Sequence, residues 1–331
     1  MKRILVTGGA GFIGSNFVRH MLCEHPEDQI FVLDDLTYAG NLANFEEETF
    51  RKRNFFFWKG NICDRPIVDQ LVSQVDQIVH FAAETHVDNS IYNTDDFVDT
   101  DVKGTQILLD AVRRNPVERF IQISTSEVYG TAVGTPMTEE HPLNPRSPYA
   151  SAKCGADRLA YSYHITFDIP VVILRPFNNY GPRQHAEKLI PCFITRALRN
   201  RRLPMHGDGS SSRDWVYVED CVRAVERATL VDLSEVKGEV INIGTGRTTS
   251  VADITRRLLR ILGKAESLVE NGYDRPGQVY CHLSSVEKAQ KLLGWKAEVS
   301  IEEGLERTVR WYRENESWWK ALRNKHDEEA W

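Results

Sequence analysis

The sequence predicts an α/β fold in which helices cover both faces of a parallel sheet, and two observations support this. Short runs rich in Val, Ile and Phe alternate with amphipathic stretches through the first half of the chain, as in βαβ units. These apolar runs are continuous, which is typical of strands buried on both faces. The predicted strands are residues 4–7, 30–33, 55–58, 78–82, 120–124 and 171–174, and the clearest helices between them are residues 16–22, 104–113 and 152–164.

The second half is less regular and predicts a smaller α/β domain. Residues 207–212 form a turn-rich loop, residues 240–243 a strand, and residues 251–262 and 302–312 two helices. We expect a first domain over residues 1–177 and a second, mainly substrate-binding domain over residues 178–331. The strand near residues 239–244 is expected to return to the first sheet.

Composition and charge exclude several classes of protein. The formal net charge of the 331 residues is -6, and no basic stretch could follow a phosphate backbone, so we expect no nucleic-acid partner. No apolar run approaches the roughly 20 residues that cross a bilayer, so we expect no membrane segment. The first residues lead directly into a strand pattern, so a signal peptide is not expected either.

The cysteines predict neither a metal site nor a disulfide framework. They have no C-x-x-C spacing and no neighbouring His at ligand spacing. We therefore expect no metal, and we expect each cysteine to serve as a small buried apolar side chain. Scattered thiols also indicate a reducing, cytoplasmic compartment. The six are Cys23, Cys63, Cys154, Cys192, Cys221 and Cys281.

A glycine-rich motif at residues 7–14 lies between the first predicted strand and the first predicted helix. Gly8 allows a tight turn, Gly11 lets the backbone approach a pyrophosphate, and Gly14 allows close packing of helix on sheet. The helix N-terminus attracts the phosphates. Asp34 ends the next strand, where a carboxylate binds ribose hydroxyls and repels a 2′-phosphate; the alternative is a loop cap. The motif thus predicts a Rossmann-type, doubly wound sheet that binds NAD rather than NADP.

Tyr149 and Lys153 lie four residues apart on one face of a predicted helix. A lysine ammonium beside a phenol favours the phenolate, and a nicotinamide cation adds to this effect. Such a tyrosine can take a hydroxyl proton while a hydride leaves the same carbon. The Y-x-x-x-K pattern is a common accident by itself. Here it follows residues 124–127 at the end of the fifth strand, where ligands of such sheets bind.

The predicted cofactor-binding residues lie in three places: in the glycine loop, at the carboxyl ends of strands and on the helix that carries Tyr149. An amide after the third strand suits an adenine edge, and small side chains after the fourth strand leave room for the cofactor. The set is Gly8, Gly11, Phe12, Ile13, Gly14, Asp34, Asn61, Ile62, Phe81, Ala82, Ala83, Tyr149 and Lys153.

Motifs along nearly the whole chain resemble a single family. They are LVTGGAGFIGSNFV (5–18), LTYAGNL (36–42), HFAAETHVDNSI (80–91), STSEVYG (124–130), SPYASAK (147–153), NNYGP (178–182), EKLIP (187–191), RDWVYVED (213–220), DRPG (274–277) and TVRWYRENESWW (308–319). In this order they are similar to the extended short-chain dehydrogenase/reductases, specifically the nucleotide-sugar 4,6-dehydratases. The resemblance implies NAD, dTDP-glucose or a related UDP-sugar as substrate, and a homodimer formed by helices near residues 98–113 and 149–166.

The resemblance also implies catalytic roles. Thr125 would hydrogen-bond the sugar's 4-hydroxyl, and Tyr149 with Lys153 would take its proton while hydride passes from C4 to NAD. The resulting ketone acidifies the C5 proton, which Glu127 would abstract. Water then leaves from C6, and the hydride returns to C6. Since the cycle is redox-neutral, we expect NAD to stay tightly bound. The alternative for Glu127 is a solvated surface carboxylate.

Several positions depart from the dTDP-glucose enzymes of this family. Ser126 stands where they have an aspartate as general acid, and a serine hydroxyl donates a proton less readily. Thr-Ser-Glu does occur in similar GDP-mannose and UDP-N-acetylglucosamine 4,6-dehydratases and in UDP-glucuronate decarboxylases, so Ser126 stays in the predicted catalytic set. His206 replaces a tyrosine that stacks on thymine, and Asn89, Arg183 and Gln278 are further departures. They leave dTDP-glucose and a UDP-sugar both open.

Basic and amide side chains supply most of the predicted substrate-binding residues. Arg213 and Arg275 can pair with a diphosphate in bidentate geometry, although each could instead form a surface salt bridge. Asn179 and the backbone at Lys188 and Leu189 can hold phosphate and base. Together with positions implied by the resemblance, the set is Thr85, Asn179, Lys188, Leu189, His206, Arg213, Asn242 and Arg275.

Three other functions stay open at this point. A UDP-glucuronate decarboxylase would share the oxidation at C4 and would need a cation near the C6 carboxylate, for which Arg183 is the candidate. An NDP-sugar 4-epimerase would return the hydride to C4 and leave Glu127 idle. A silent, NAD-binding interaction protein need not keep Thr125, Tyr149 and Lys153 together.

Overall fold

The computed structural model describes residues 1–273 and 279–322 of the chain. Within these ranges the strands are β1 (Arg3–Thr7), β2 (Gln29–Asp34), β3 (Phe55–Lys59), β4 (Gln77–His80), β5 (Arg119–Ile123), β6 (Val171–Pro176), β7 (Asn178–Tyr180), β8 (Leu203–His206), β9 (Ser212–Arg213), β10 (Trp215–Tyr217), β11 (Val240–Ile243), β12 (Thr249–Ser250) and β13 (Val269–Gly272).

The helices are α1 (Phe12–Glu24), α2 (Arg65–Val72), α3 (Val87–Tyr92), α4 (Asp95–Phe97), α5 (Thr105–Arg114), α6 (Pro148–Phe167), α7 (Leu189–Leu198), α8 (Val218–Leu230), α9 (Leu233–Val236), α10 (Val251–Leu262), α11 (Glu287–Leu293), α12 (Ile301–Glu314) and α13 (Glu316–Ala321). A π-helical segment, Val98–Gly104, joins α4 to α5, and a 3₁₀ turn, Ser126–Tyr129, follows β5. Among the described residues, no helix is long and apolar enough to cross a membrane.

Seven parallel strands form the central sheet in the order β11-β6-β5-β4-β1-β2-β3. Their side chains enter two cores, one on each face: Ile4 and Val6 belong to one core, and Leu5 between them belongs to the other. Helices α1 and α8 supply the first core, and α2, α5 and α6 supply the second. Because both faces are covered, the strands read as continuous apolar runs. The predicted fold class is confirmed.

Strand β11 returns to the central sheet and pairs with β6, as expected for the strand near residues 239–244. Side chains of α8 and α11 also join the first core, among them Val222, Val225 and Leu293. The second half of the chain therefore helps to build the sheet region, and the division near residue 178 stays a prediction.

A third core lies among α7, α10, α12 and α13. The two tail tryptophans belong to it: the Trp319 indole donates to the Tyr312 carbonyl at 2.8 Å. The Trp318 indole donates to the Asn44 side chain at 3.0 Å and so ties this region to the loop after β2. This contact sets the C-terminal elements across the carboxyl edge of the sheet, beside the cofactor loop.

Candidate active site

The glycine loop joins β1 to α1 and leaves its backbone open to a cleft. Gly8 has a φ of 68°, and a Cβ there would lie 2.5 Å from the Ala82 nitrogen. A Cβ on Gly14 would lie 2.3 Å from the Gly8 carbonyl oxygen. Neither position can hold a side chain, because the loop, α1 and the end of β4 pack directly on one another. The N-terminus of α1 faces the cleft, as a pyrophosphate site requires.

Asp34 closes this loop from the end of β2. Its carboxylate accepts the Ala10 N–H at 2.8 Å and the Leu36 N–H at 2.9 Å. Burial raises the pKa of Asp34, while these two hydrogen bonds oppose the rise. Asp34 still borders the cleft, so it can meet ribose hydroxyls as well as bracing the loop. The predicted ribose contact and its loop-cap alternative are therefore compatible.

All the predicted cofactor-binding residues border this one cleft. It runs from the glycine loop past the ends of β2, β3 and β4 to the face of α6. These groups suit a dinucleotide. Along the cleft there follow a helix N-terminus for the pyrophosphate, a carboxylate for the ribose hydroxyls and small side chains that leave room for the nicotinamide. The residues that border it are therefore able to hold NAD.

Tyr38, which is not among the predicted site residues, lies between two residues that border the cleft, Thr37 and Ala39. Its hydroxyl lies within hydrogen-bond distance of the Thr85 carbonyl and 3.1 Å from Glu187 Oε1. Its ring stands edge-on to His185 at 5.6 Å. The loop after β2 is thus fastened to the segment before α7. The motif at residues 36–42 marked this loop, but the partners of Tyr38 are 47 and 149 residues away in the chain.

Tyr149 and Lys153 lie in the first turns of α6, whose start is capped by Ser147 accepting the Ala150 N–H at 3.1 Å. Lys153 donates from Nζ to the Ile123 carbonyl at 2.9 Å, which fixes the ammonium against β5. Burial lowers the pKa of Lys153. Burial also raises the pKa of Tyr149, and nearby negative charges raise it further. Proton transfer by Tyr149 therefore calls for an additional positive charge in the site.

Thr125 and Glu127 are presented by the turn after β5. Thr125 Oγ1 accepts the Glu127 N–H at 3.2 Å and also hydrogen-bonds Tyr149. Thr125, Glu127 and Tyr149 border a second cavity, which continues into the C-terminal half of the chain. Tyr149 borders the cofactor cleft as well, so the two spaces meet beside this residue. A hydroxyl group bound there would be within reach of Tyr149 and Thr125 together.

Most predicted substrate-binding residues border this second cavity. They are Thr85, Asn179, Lys188, Leu189, His206 and Arg213. Lys188 donates to the Thr85 hydroxyl at 3.3 Å. Sequence reasoning missed the apolar end of the cavity, where Phe193, Met205 and Trp215 lie. Arg275 and Gln278 lie outside the described residues.

Two predicted site residues are not brought to either cavity. Ser126 is 2% exposed, and its hydroxyl lies 3.4 Å from Nδ1 of His282, which in turn donates from Nε2 to the Gly130 carbonyl at 2.7 Å. Asn242 is fully buried, and its side chain accepts from the Tyr129 hydroxyl at 2.7 Å and donates to the Met137 carbonyl at 3.0 Å. Ser126 thus lies behind the turn and Asn242 within the core, and the roles assigned to both stay predictions.

Arg183 does not border the substrate cavity either. It donates to the Asn44 carbonyl at 3.2 Å and lies 5.5 Å from the centre of the Trp311 ring. Burial lowers its pKa to about 10. The cation that a decarboxylase would need near a C6 carboxylate is therefore not supplied by Arg183.

The chain is similar to known proteins in both sequence and structure. The model described as GDP-mannose 4,6 dehydratase matches residues 5–308. The low-salt glycan biosynthesis protein Agl12 of Haloferax volcanii is 48% identical over 93% of this chain and 98% of its own. A dTDP-glucose 4,6-dehydratase of Streptomyces niveus is 43% identical over 97% of this chain and 96% of its own. The structure of DesIV, a dTDP-glucose 4,6-dehydratase of Streptomyces venezuelae with NAD and TYD bound, matches with a TM-score of 0.93 at 43% identity, covering 97% of this chain and 100% of that one.

Proposed function

The chain belongs to the GDP-mannose 4,6-dehydratase family, and from this premise we propose that it is an NAD-dependent nucleotide-sugar 4,6-dehydratase acting on dTDP-glucose. One observation carries the choice of reaction. Tyr149, Thr125 and Glu127 border the same cavity at the point where it meets the cofactor cleft. An oxidation site and a separate carboxylate base are thus available to one sugar ring.

The oxidation at C4 is assigned to α6 and the turn after β5. Thr125 orients the 4-hydroxyl, Tyr149 takes its proton, and Lys153 stabilises the phenolate. NAD held by the glycine loop and Asp34 would supply the acceptor for the C4 hydride and the donor for its return to C6. Because NAD would be regenerated in each cycle, the reaction does not require it to dissociate. The contacts of Tyr38 with Thr85 and Glu187 hold the cleft closed and would retain the cofactor.

Glu127 is assigned both halves of the elimination. Its carboxylate takes the C5 proton, the C5–C6 double bond forms, and the C6–O bond breaks. The leaving hydroxyl receives the proton held by Glu127 and departs as water. When hydride later adds to C6, C5 takes up a proton from water, and Tyr149 releases to water the proton it took from the 4-hydroxyl, so atoms and charges balance over the cycle. We make this assignment because Ser126 faces His282 and not the cavity.

The substrate is proposed as dTDP-glucose because curated relatives at 42–43% identity carry that name. His206, Met205 and Trp215 line the end of the cavity where a pyrimidine would lie. UDP-glucose is the second candidate, since the chain is also 39% identical to a trifunctional UDP-glucose 4,6-dehydratase of Arabidopsis thaliana.

The test is turnover of purified holoenzyme with dTDP-glucose, UDP-glucose, UDP-N-acetylglucosamine, GDP-mannose and UDP-glucuronate, with products read by mass spectrometry. We expect loss of one water from dTDP-glucose without net NADH. The Glu127→Gln variant should still oxidise C4, so NADH accumulates to at most one equivalent per site and no water is lost. The Tyr149→Phe variant should show neither signal. Loss of carbon dioxide from the uronate, or inversion at C4 without dehydration, would overturn the proposal.

We further propose a cytoplasmic homodimer. Large apolar side chains are exposed along the predicted dimer helices: Val98 is 48% exposed, Tyr161 38% and Ile165 64%. The described cysteines are all free, which suits a reducing compartment. Sedimentation should give a dimer that Ile165→Glu dissociates, whereas Leu230→Glu on α8, 51% exposed, leaves it intact. A monomeric wild-type protein would contradict this assembly.

A further inference from the structure

Asp101 is a buried carboxyl group for which neither cofactor nor substrate contact accounts. It lies in the π-helical segment Val98–Gly104 and is 1% exposed. One oxygen, Oδ1, accepts the Glu84 N–H at 2.9 Å. The other, Oδ2, is buried and has no hydrogen-bond partner among the described residues. A buried carboxyl oxygen without a partner costs free energy, so its retention calls for an explanation.

The π-helical segment packs against α6 beside the catalytic pair. Just before it, Phe97 places its ring edge-on to Tyr149 at 6.1 Å. The charge of Asp101 acts on both members of the pair: it raises the pKa of Tyr149 and the pKa of Lys153. Asp101 is therefore close enough to bias the ionisation of both groups, although it borders neither cavity.

The other charged and titratable groups around Asp101 can be named. Lys153 on α6 opposes the charge of Asp101, and Glu84 after β4 adds to it. His80 at the end of β4 is joined to the segment through Thr105, whose hydroxyl donates to the Asp101 carbonyl at 2.5 Å and lies 3.0 Å from the His80 Nε2. Burial lowers the pKa of His80 to about 3, so it stays neutral. Lys153 is thus the cation that acts on Asp101.

We propose that Asp101 is a positioning residue for the oxidation step, whose carboxylate charge sets how readily Tyr149 gives up its proton. This inference rests on the proposed function, because it assigns Tyr149 as the base for the 4-hydroxyl. The ionised carboxylate holds Lys153 in its ammonium form and at the same time opposes a phenolate on Tyr149. Protonated Asp101 does neither.

The balance between these two forms lies in the neutral range. Burial raises the pKa of Asp101 to about 7, and Lys153 opposes that rise. As pH rises through neutrality Asp101 gains its charge, and the ionisation of Tyr149 moves to higher pH. The pH dependence of oxidation therefore belongs to three coupled groups, Asp101, Tyr149 and Lys153.

The test compares Asp101→Asn with wild-type holoenzyme in the pH dependence of kcat/KM for dTDP-glucose. Asn keeps the shape and removes the charge, so the part of the acidic limb that lies above about pH 7, where Asp101 is ionised in wild type, should move to lower pH by about one unit or more. Asp99→Asn is the matched control: it removes the same charge from the same segment, but that side chain is 64% exposed. Its profile should coincide with wild type. An unshifted limb in Asp101→Asn would overturn the proposal.

A second readout needs no turnover. The phenolate absorbance of Tyr149 is isolated as the difference between each protein and its Tyr149→Phe counterpart during a pH titration. It should appear at lower pH in Asp101→Asn than in wild type. If no sugar is turned over but this shift occurs, the coupling holds and only the proposed function fails. If sugar is turned over and neither shift occurs, the coupling fails by itself.

A variant on the other partner covers the case in which Asp101→Asn does not fold. In Lys153→Met the carboxyl loses its cation, so the infrared band of protonated Asp101 should persist to higher pH than in wild type. A carboxyl band with the same pH midpoint in both proteins would count against the proposal.

Discussion

Arg175 in β6 ties α6, the helix that carries Tyr149 and Lys153, to the central sheet. Its Nε and Nη2 groups donate to the two oxygens of Asp157, both at 2.9 Å. Asp157 lies on α6, on the same face as Tyr149 and Lys153 at intervals of four residues. Arg175 and Asp157 are 1% and 0% exposed. Removing the guanidinium would leave a buried carboxylate under-compensated one helical turn beyond Lys153.

We expect Arg175→Met to lower the free energy of unfolding by about 3–5 kcal/mol, the cost of breaking a buried ion pair from one side. The chain contains a matched control in Arg158, which binds the same Asp157 carboxylate with a side chain that is 39% exposed. Arg158→Met should cost only about 0–1 kcal/mol. Urea unfolding followed by circular dichroism, at equal NAD concentration, measures both values.

The same pair fixes the sign of an acid dependence. Burial favours a higher pKa for Asp157, but its hydrogen bond and ion pair with Arg175 outweigh burial and hold the pKa below 3.8. The stabilisation is therefore present above that value and is lost as pH falls through the folded pKa. Arg175→Met should flatten this loss. Equal costs for the two arginine variants, or parallel acid profiles of wild type and Arg175→Met, would refute the reasoning.

Two further predictions concern a buried histidine at the end of β4 and a tyrosine in the loop after β2. His80 has its pKa lowered from 6.5 to about 3, first by burial and then by Lys153. Below pH 6.5 the unfolded chain therefore binds a proton on His80 that the folded chain does not bind. The free energy of unfolding should fall by about 1.4 kcal/mol for each pH unit below 6.5. In acid unfolding experiments, His80→Gln should remove this pH dependence. Tyr38→Phe loses the hydroxyl that reaches Thr85 and Glu187, so NAD should dissociate roughly ten times faster in stopped-flow experiments. The free energy of unfolding measured in urea should change by no more than about 1 kcal/mol. Unchanged release would show that these contacts do not retain the cofactor.

Local patterns in the sequence determined the sheet, the glycine loop and the placement of Tyr149 and Lys153 on one helix face. Continuous apolar runs mark strands buried on both faces, and the spacing of Tyr149 and Lys153 puts them on one helix face. The glycine motif demands close backbone approach, which the contact at Gly8 displays. Each of these signals is contained within a few residues or one βα unit, so it can be recognised from the sequence without knowledge of contacts between distant segments.

The tertiary structure alone decided which way the remaining groups face. Ser126 follows Thr125 directly, yet it turns to His282, 156 residues away, while Thr125 and Glu127 on either side of it border the second cavity. Asn242 was expected at the substrate but completes a core network with Tyr129. These outcomes depend on packing between segments far apart in the chain, where buried polar groups must find partners that no local pattern specifies.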